Sequence, residues 1–324
     1  MRPLPPELGP GPSRAQALAL GVTKAMFDGD RFIRVFPCVW RLADQPLTEA
    51  GWVAAARLTL PDHARLTGLT RLRELGLDFG PRFPLHFVVE GDLHLDLDGI
   101  FLHRTKLLAP NDGRSVTAAA AFLFYCSHAR IIDAIRVGDW MLFHRHATID
   151  EVRALALSAP WRDGAHEAIW IIDYLHPASR SLKESETRAV IEFAGLPRAE
   201  VNVQLDLGPD ERVVVIVDLL MRCCGLVIEY EGAHHQSDRL QYSGDLGRYE
   251  ILRRHGVPYL QVTRERLGQP RRLVQMIHRE MVALGYDGPA PVFDDRWRQL
   301  FRPIREVVGS RDEWLKAWGR GAVG

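Results

Sequence analysis

Two apolar runs that each hold acidic residues constrain this chain more than any other feature. Val213-Val-Val-Ile-Val leads into Asp218 and continues as Leu219-Leu-Met; after Arg222-Cys-Cys-Gly225 a second run, Leu226-Val-Ile, holds Glu229 and Glu231. β-Branched runs joined by a short Gly-containing break read as a hairpin. Side chains alternate along a strand, so Glu229 and Glu231 point to one face. Carboxylates inside such runs are costly to bury unless a cation or a donor meets them. With Asp218 opposite, several carboxylates converge, which is the donor set a hard divalent ion such as Mg²⁺ takes.

The flanking segments give this hairpin a setting. A helix over Ser185 to Ala194 contains Glu186 and ends at Gly195-Leu-Pro197, and a strand follows over Val201 to Leu207. Beyond Glu231 come Gly232-Ala-His234-His235, a polar connection, and a helix from Asp245 to Gly256 holding Arg248. A strand at Val257 to Thr263 and an amphipathic helix from Arg271 to Leu284 close the region. The order is helix, three strands, helix, strand, helix. Asp245 and Arg248 are three apart and share one face of their helix.

Glu186, Asp218, Glu229-Tyr-Glu231-Gly-Ala-His-His235 and Asp245-Leu-Gly-Arg248 together resemble the very-short-patch-repair-type endonucleases of the PD-(D/E)XK superfamily. The likeness covers roughly residues 181 to 285. It implies a restriction-endonuclease-like αβββαβ core and metal-dependent hydrolysis of DNA phosphodiester bonds with Mg²⁺ (or Mn²⁺). Asp218 and Glu229 then stand as metal ligands, with Glu231 a further ligand or a water-orienting group. Glu186 matches the acidic residue on the family's first core helix. His235 is the general base or a stabiliser of the leaving oxygen, Asp245 its orienting partner, and Arg248 a phosphate clamp. Two departures stand out: the family's Glu-x-Asp is here Glu229-Tyr-Glu231, and no lysine lies between Lys183 and Lys316 to fill the superfamily's usual place at Glu231. The alternative they favour is a non-catalytic DNA-binding regulator with a degenerate nuclease domain.

The N-terminal part has a different character. Residues 1–12 are rich in Pro and Gly and are expected to be a disordered or loosely attached lead. Ser13 to Gly21 reads as a capped helix, Val22-Thr23 opens a second over Lys24 to Phe27, and Arg31 to Phe36 and Val39 to Leu42 read as two strands. Over 13–45 this is the layout of a small winged helix-turn-helix, whose second helix lies in the DNA major groove; a helical cap that binds nothing has the same layout. Lys24, Arg31 and Arg34 are its candidate DNA contacts, with Arg248 and Arg253 in the later region. The N-terminal half is similar in layout to antitoxin-type regulators of abortive-infection (type IV toxin–antitoxin) systems, including Leu20-Gly-Val-Thr23 and Arg34-Val-Phe-Pro-Cys-Val-Trp40. That likeness implies a regulator-like DNA-binding region; it does not imply a partner toxin.

Residues 46–178 form a mixed α/β stretch. Helices are expected at Glu49 to Leu58, Leu69 to Leu75, Val116 to Leu142, Ile149 to Leu157 and Glu167 to Tyr174; Thr148 and Glu151 make a capping box. Leu85 to Val89, Leu93 to Leu97 and Gly99 to His103 are expected strands. A calcium loop at Asp96-Leu-Asp98-Gly99 is rejected, because Ile100 and Leu107 fall where oxygen ligands are required. His144 and His146 are spaced as on a strand face, with no third ligand nearby. The nuclease-like region occupies 179–286, and an aromatic tail, 287–324, either packs on it or mediates assembly.

The whole chain excludes little beyond this. Its formal net charge is zero, so any polyanion site must be a local patch. Arg248, Arg253, Arg254, Arg264, Arg266, Arg271 and Arg272 offer one for a DNA backbone. Cys38, Cys126, Cys223 and Cys224 lack zinc-ligand spacing. No apolar stretch approaches the ~20 residues of a membrane span, and Met1-Arg-Pro-Leu is followed by no apolar signal core. The expected setting is the cytoplasm, with DNA as partner, no membrane, and a homodimer left open.

Overall fold

The computed structural model describes residues 5, 8–207, 214–231 and 249–321, with side chains as far as 316. Among the described residues the fold is mixed α/β, with helices and three sheets. Two compact units divide at Phe124 and Tyr125, a boundary inside the stretch 46–178 and inside one helix, α5 (Ala118–Cys126). No helix among the described residues is long and apolar enough to cross a membrane.

In the first unit, α1 (Arg14–Ala19) opens with the Ser13–Gln16 capping box and α2 (Lys24–Phe27) is a single turn after Thr23. The antiparallel pair β1 (Phe32–Phe36) and β2 (Val39–Leu42) turns at Cys38, whose φ is 60°. This layout agrees with the sequence. One turn of helix is about 6 Å long, however, so α2 spans less than a recognition helix usually does. Phe36 and Val39 reach into a core that also contains Val53 of α3 (Glu49–Arg57), together with Leu66, Leu85 and Phe87.

The short strand β3 (Arg65–Leu66) precedes α4 (Gly68–Glu74), and β4 (Leu85–Glu90) lies between β3 and β5 (Ile100–Thr105). The β4–β5 pair is parallel, Leu85 facing Ile100 and Glu90 facing Thr105. The expected strand at Leu93 to Leu97 is therefore replaced by the crossover: the chain must travel back along β4 before it can pair in parallel. Only a single bridge, Leu97 to Ile100, marks that stretch.

The second unit begins with a correction. A continuous helix from Val116 to Leu142 is expected, yet the chain breaks into α5 and α6 (Ile131–Phe143). The tail explains why. Ile131 N–H and Ile132 N–H donate to the carbonyls of Arg302 and Leu300, and Ile304 N–H donates to Ala129 O. The free N–H groups at the start of α6 are thus met by the C-terminal segment. That tail, with α13 (Asp295–Gln299) and α14 (Arg311–Gly321), buries Trp297, Leu300 and Ile304; it packs on its own unit. Between them come α7 (Ile149–Ser158), with its Thr148–Glu151 capping box, and α8 (Ala165–Ile171).

Next, α9 (Leu182–Phe193) packs against a four-stranded sheet of order β6–β7–β8–β9. Its strands are β6 (Glu200–Asp206), β7 (Val214–Met221), β8 (Leu226–Tyr230) and β9 (Tyr259–Val262). The first three are antiparallel neighbours and β9 runs parallel to β8. A helix described over 249–254, here α10, precedes β9, and α11 (Arg264–Leu267) and α12 (Pro270–Ala283) follow it. Helix α9 begins three residues before the expected Ser185 because Ser181 caps it, accepting from Glu184 N–H. Asp139 of α6 and Arg188 of α9 lie buried together, 2.7 Å apart, and fasten those two helices.

Candidate functional site

The hairpin register decides what meets at the centre of the sheet. Leu219 faces Ile228 and Leu220 faces Val227, and one step further Asp218 stands opposite Glu229. At that step side chains replace the main-chain ladder. Asp218 N–H donates to Glu229 Oε1 at 3.1 Å, and Tyr230 N–H donates to Asp218 Oδ2 at 2.9 Å. Each strand's amide is satisfied by the other strand's carboxylate, which offsets part of the cost of burying both. Glu229 is completely buried and Asp218 half-buried. On its other edge β8 pairs with β9, Glu229 facing Gln261, and Glu231 N–H donates to Val262 O at 2.9 Å. Glu231 is half-buried and lies on the Glu229 side of the strand by alternation.

Across β6, the residue opposite Asp218 is Asn202, which adopts φ 51° and interrupts the regular pairing between Val201–Leu219 and Val203–Val217. Asn tolerates this left-handed geometry better than most residues. There its Nδ2 donates to Glu184 Oε2 at 2.9 Å and to Ala178 O at 2.6 Å. Glu184 Oε2 also accepts from Arg180 N–H at 3.0 Å. Burial pushes the Glu184 carboxyl above its usual range, and the charge of Asp218 pushes it further the same way. The α9 carboxylate whose charge is felt at Asp218 is therefore Glu184.

Glu186 is held differently. Lys183 Nζ lies 2.8 Å from its carboxylate and Arg136 3.6 Å away, and Arg136 continues to Asp133 and Arg130. These contacts make Glu186 a member of an ion-pair chain between α6 and α9. Its charge reaches Tyr230, whose phenol is pushed up by burial first and by Glu186 second.

His235, Asp245 and Arg248 lie outside the described residues, as do Gly232 and His234. Arg253 is exposed on α10, its Nη2 donating to Tyr259 Oη at 3.0 Å. In the first unit Lys24 is exposed at the start of α2, Arg34 is exposed on β1, and Arg31 is half-buried just before that strand. His144 and His146 stack on each other and meet Trp140 with tilted rings, a packing arrangement. Among the described residues no group of three His, Cys, Asp or Glu side chains is assembled to hold a metal ion.

The donor chemistry still suits a hard cation. Asp218 and Glu229 supply carboxylates at the same step of adjacent strands, and Mg²⁺ usually takes only one or two protein carboxylates while keeping its waters. Glu184 and Asn202 are what sequence reasoning missed. Their signals were faint: a Ser cap at position 181 that shifts the helix start, and an asparagine in a strand, where that residue is depleted.

Comparison of the chain with protein-family models, curated proteins and solved structures finds no match.

Proposed function

We propose that residues 179–286 are a nuclease domain with a restriction-endonuclease-like core, which hydrolyses DNA phosphodiester bonds with Mg²⁺ or Mn²⁺. One observation supports this reading above the rest: Asp218 and Glu229 meet across β7 and β8 where the ladder stops, with Glu184 in electrostatic reach of Asp218. Buried carboxylates brought together in this way are uncommon unless a cation or a proton is part of their role.

In this reading Asp218 and Glu229 hold the divalent ion, and Glu231 joins as a ligand or orients the attacking water. When bound, the ion supplies a water of lowered pKa and polarises the phosphoryl oxygen. The protein's own groups set the geometry. Tyr230 N–H fixes the Asp218 carboxylate, Asp218 N–H fixes Glu229, and Asn202 fixes Glu184. Glu184, with its raised proton affinity, is suited to hold or release a proton beside Asp218. The first unit serves to locate DNA through Lys24, Arg31 and Arg34.

The test is nicking or cutting of supercoiled and mismatched DNA by the full chain with Mg²⁺ or Mn²⁺, set against Asp218→Asn. Asparagine keeps an acceptor for Tyr230 N–H and removes the charge. Loss of cutting in the variant supports the proposal. A wild-type chain that binds DNA and never cuts it overturns hydrolysis and leaves the DNA-binding regulator.

A further inference from the structure

The outer face of α12 has an organisation that the carboxylate site does not use. Arg272 and Arg279 are seven residues apart, so they point the same way, about 10.5 Å apart along the helix. Both are exposed and both border two recesses, one on each flank of the helix. The first recess also takes in Arg266 and Gln269 over an apolar floor of Leu273 and Met276. The second runs from Gln275 and His278 towards Pro291 and Phe293.

The arginines here are also left uncompensated. Several other arginines sit against carboxylates, among them Arg188 with Asp139, Arg222 with Glu200 and Arg298 with Asp295. Among the described residues no carboxylate lies within ion-pair distance of Arg266, Arg272 or Arg279; Arg272 donates instead to Gln269 Oε1 at 2.6 Å and Arg266 to Gln261 O. Glu265 borders the first recess but is drawn to Thr263, whose side chain holds its carboxyl below the usual range. Three arginines against one glutamate leave this face positive in a chain of zero net charge.

We infer that the exposed face of α11 and α12, with Arg266, Arg272 and Arg279, is a contact surface for the phosphate backbone of a nucleic acid. Guanidinium forks match phosphate oxygens in pairs. Each strand of a duplex carries one phosphate per about 3.4 Å of axis, so the spacing of Arg272 and Arg279 covers about three phosphate steps. The face begins beside the carboxylates, since α11 follows β9 and Val262 of β9 accepts from Glu231 N–H. The choice of nucleic acid as the polymer rests on the nuclease reading; the anion-binding character of the face does not.

Binding of a short labelled duplex to the full chain is measured in EDTA, where no metal-dependent cutting occurs, over a range of salt concentrations. Arg272→Ala/Arg279→Ala is expected to lower the slope of log affinity against log salt by about 1.8, roughly 0.9 for each phosphate no longer neutralised. Arg272→Lys/Arg279→Lys keeps the slope, and Arg298→Ala, which removes a paired arginine, leaves it unchanged. An alanine double variant with the wild-type slope overturns the inference, as does a wild-type chain with no duplex binding. Equal binding of poly-glutamate overturns the nucleic-acid assignment. Should the alanine variant fail a thermal-unfolding check, Arg272→Gln/Arg279→Gln is read by the same criteria. Since this assay sees binding and the Asp218→Asn assay sees cutting, failure of one is separable from failure of the other.

Discussion

Asp218 and Glu229 exchange their hydrogen bonds with main chain rather than with each other: each carboxylate caps an amide of the opposite strand, at 2.9 and 3.1 Å. Each of the two carboxylates is thus fixed by the main chain of the opposite strand. Glu184 feels the charge of Asp218, which adds to burial in raising its carboxyl.

The two acids of α9 are expected to separate in a cutting assay. Glu184→Gln retains acceptors for Arg180 N–H and Asn202 Nδ2 but loses the titrating proton, and turnover is expected to fall by about 10² or more, as for loss of an acid–base group. Glu186→Gln removes a partner of Lys183 and Arg136 and is expected to change turnover by a few-fold at most. The reverse ranking would return the role to Glu186.

Glu184 also carries a pH signature. Its carboxyl titrates near 4.5 in the unfolded chain and higher in the folded one, so folding favours the protonated form. The stability it contributes is complete below pH 4.5 and is lost as pH rises through the folded value. Glu184→Gln has no proton to lose. The difference in melting temperature between variant and wild type is therefore expected to shift in the variant's favour as pH rises above 4.5. A difference that stays flat with pH contradicts the placement of this group.

The buried ion pair between α6 and α9 has a different energetic character. Burial dominates at Asp139, pushing its carboxyl up in spite of Arg188 and the 2.7 Å hydrogen bond from His176 N–H. Asp139→Ala strands the Arg188 charge and is expected to cost about 3–5 kcal/mol in denaturant unfolding. Asp139→Leu with Arg188→Met removes both charges and is expected to cost much less. Equal losses in the two variants would mean that the pair's packing, not its charge, is what matters.

Local signals made some of this legible. The Ser13 cap and the Thr148–Glu151 box marked two helix starts, and the β-branched runs around Gly225 marked the hairpin that opposes Asp218 and Glu229. What escaped depends on partners far along the chain. The helix break before Ile131 is set by carbonyls of Leu300 and Arg302. Glu184 and Glu186 both lie on α9, and only contacts with Asn202 and Arg136, distant in sequence, distinguish their surroundings. Leu93 to Leu97 alternates like a strand, but the chain there crosses back along β4 so that β5 can pair with it in parallel.

The DNA-locating role assigned to the first unit is tested more cleanly by charge reversal than by truncation. Removing residues 1–45 would strip Phe36 and Val39 from a core shared with Val53, Leu66 and Phe87, so weakened binding could simply report unfolding. Lys24 and Arg34 are exposed, at the start of α2 and on β1. Lys24→Glu/Arg34→Glu is expected to leave the melting temperature nearly unchanged and to weaken duplex binding. The salt slope should fall by about 1.8 if each residue neutralises one phosphate. An unchanged slope removes the wing from the interface and leaves α11 and α12 as the surface that holds DNA.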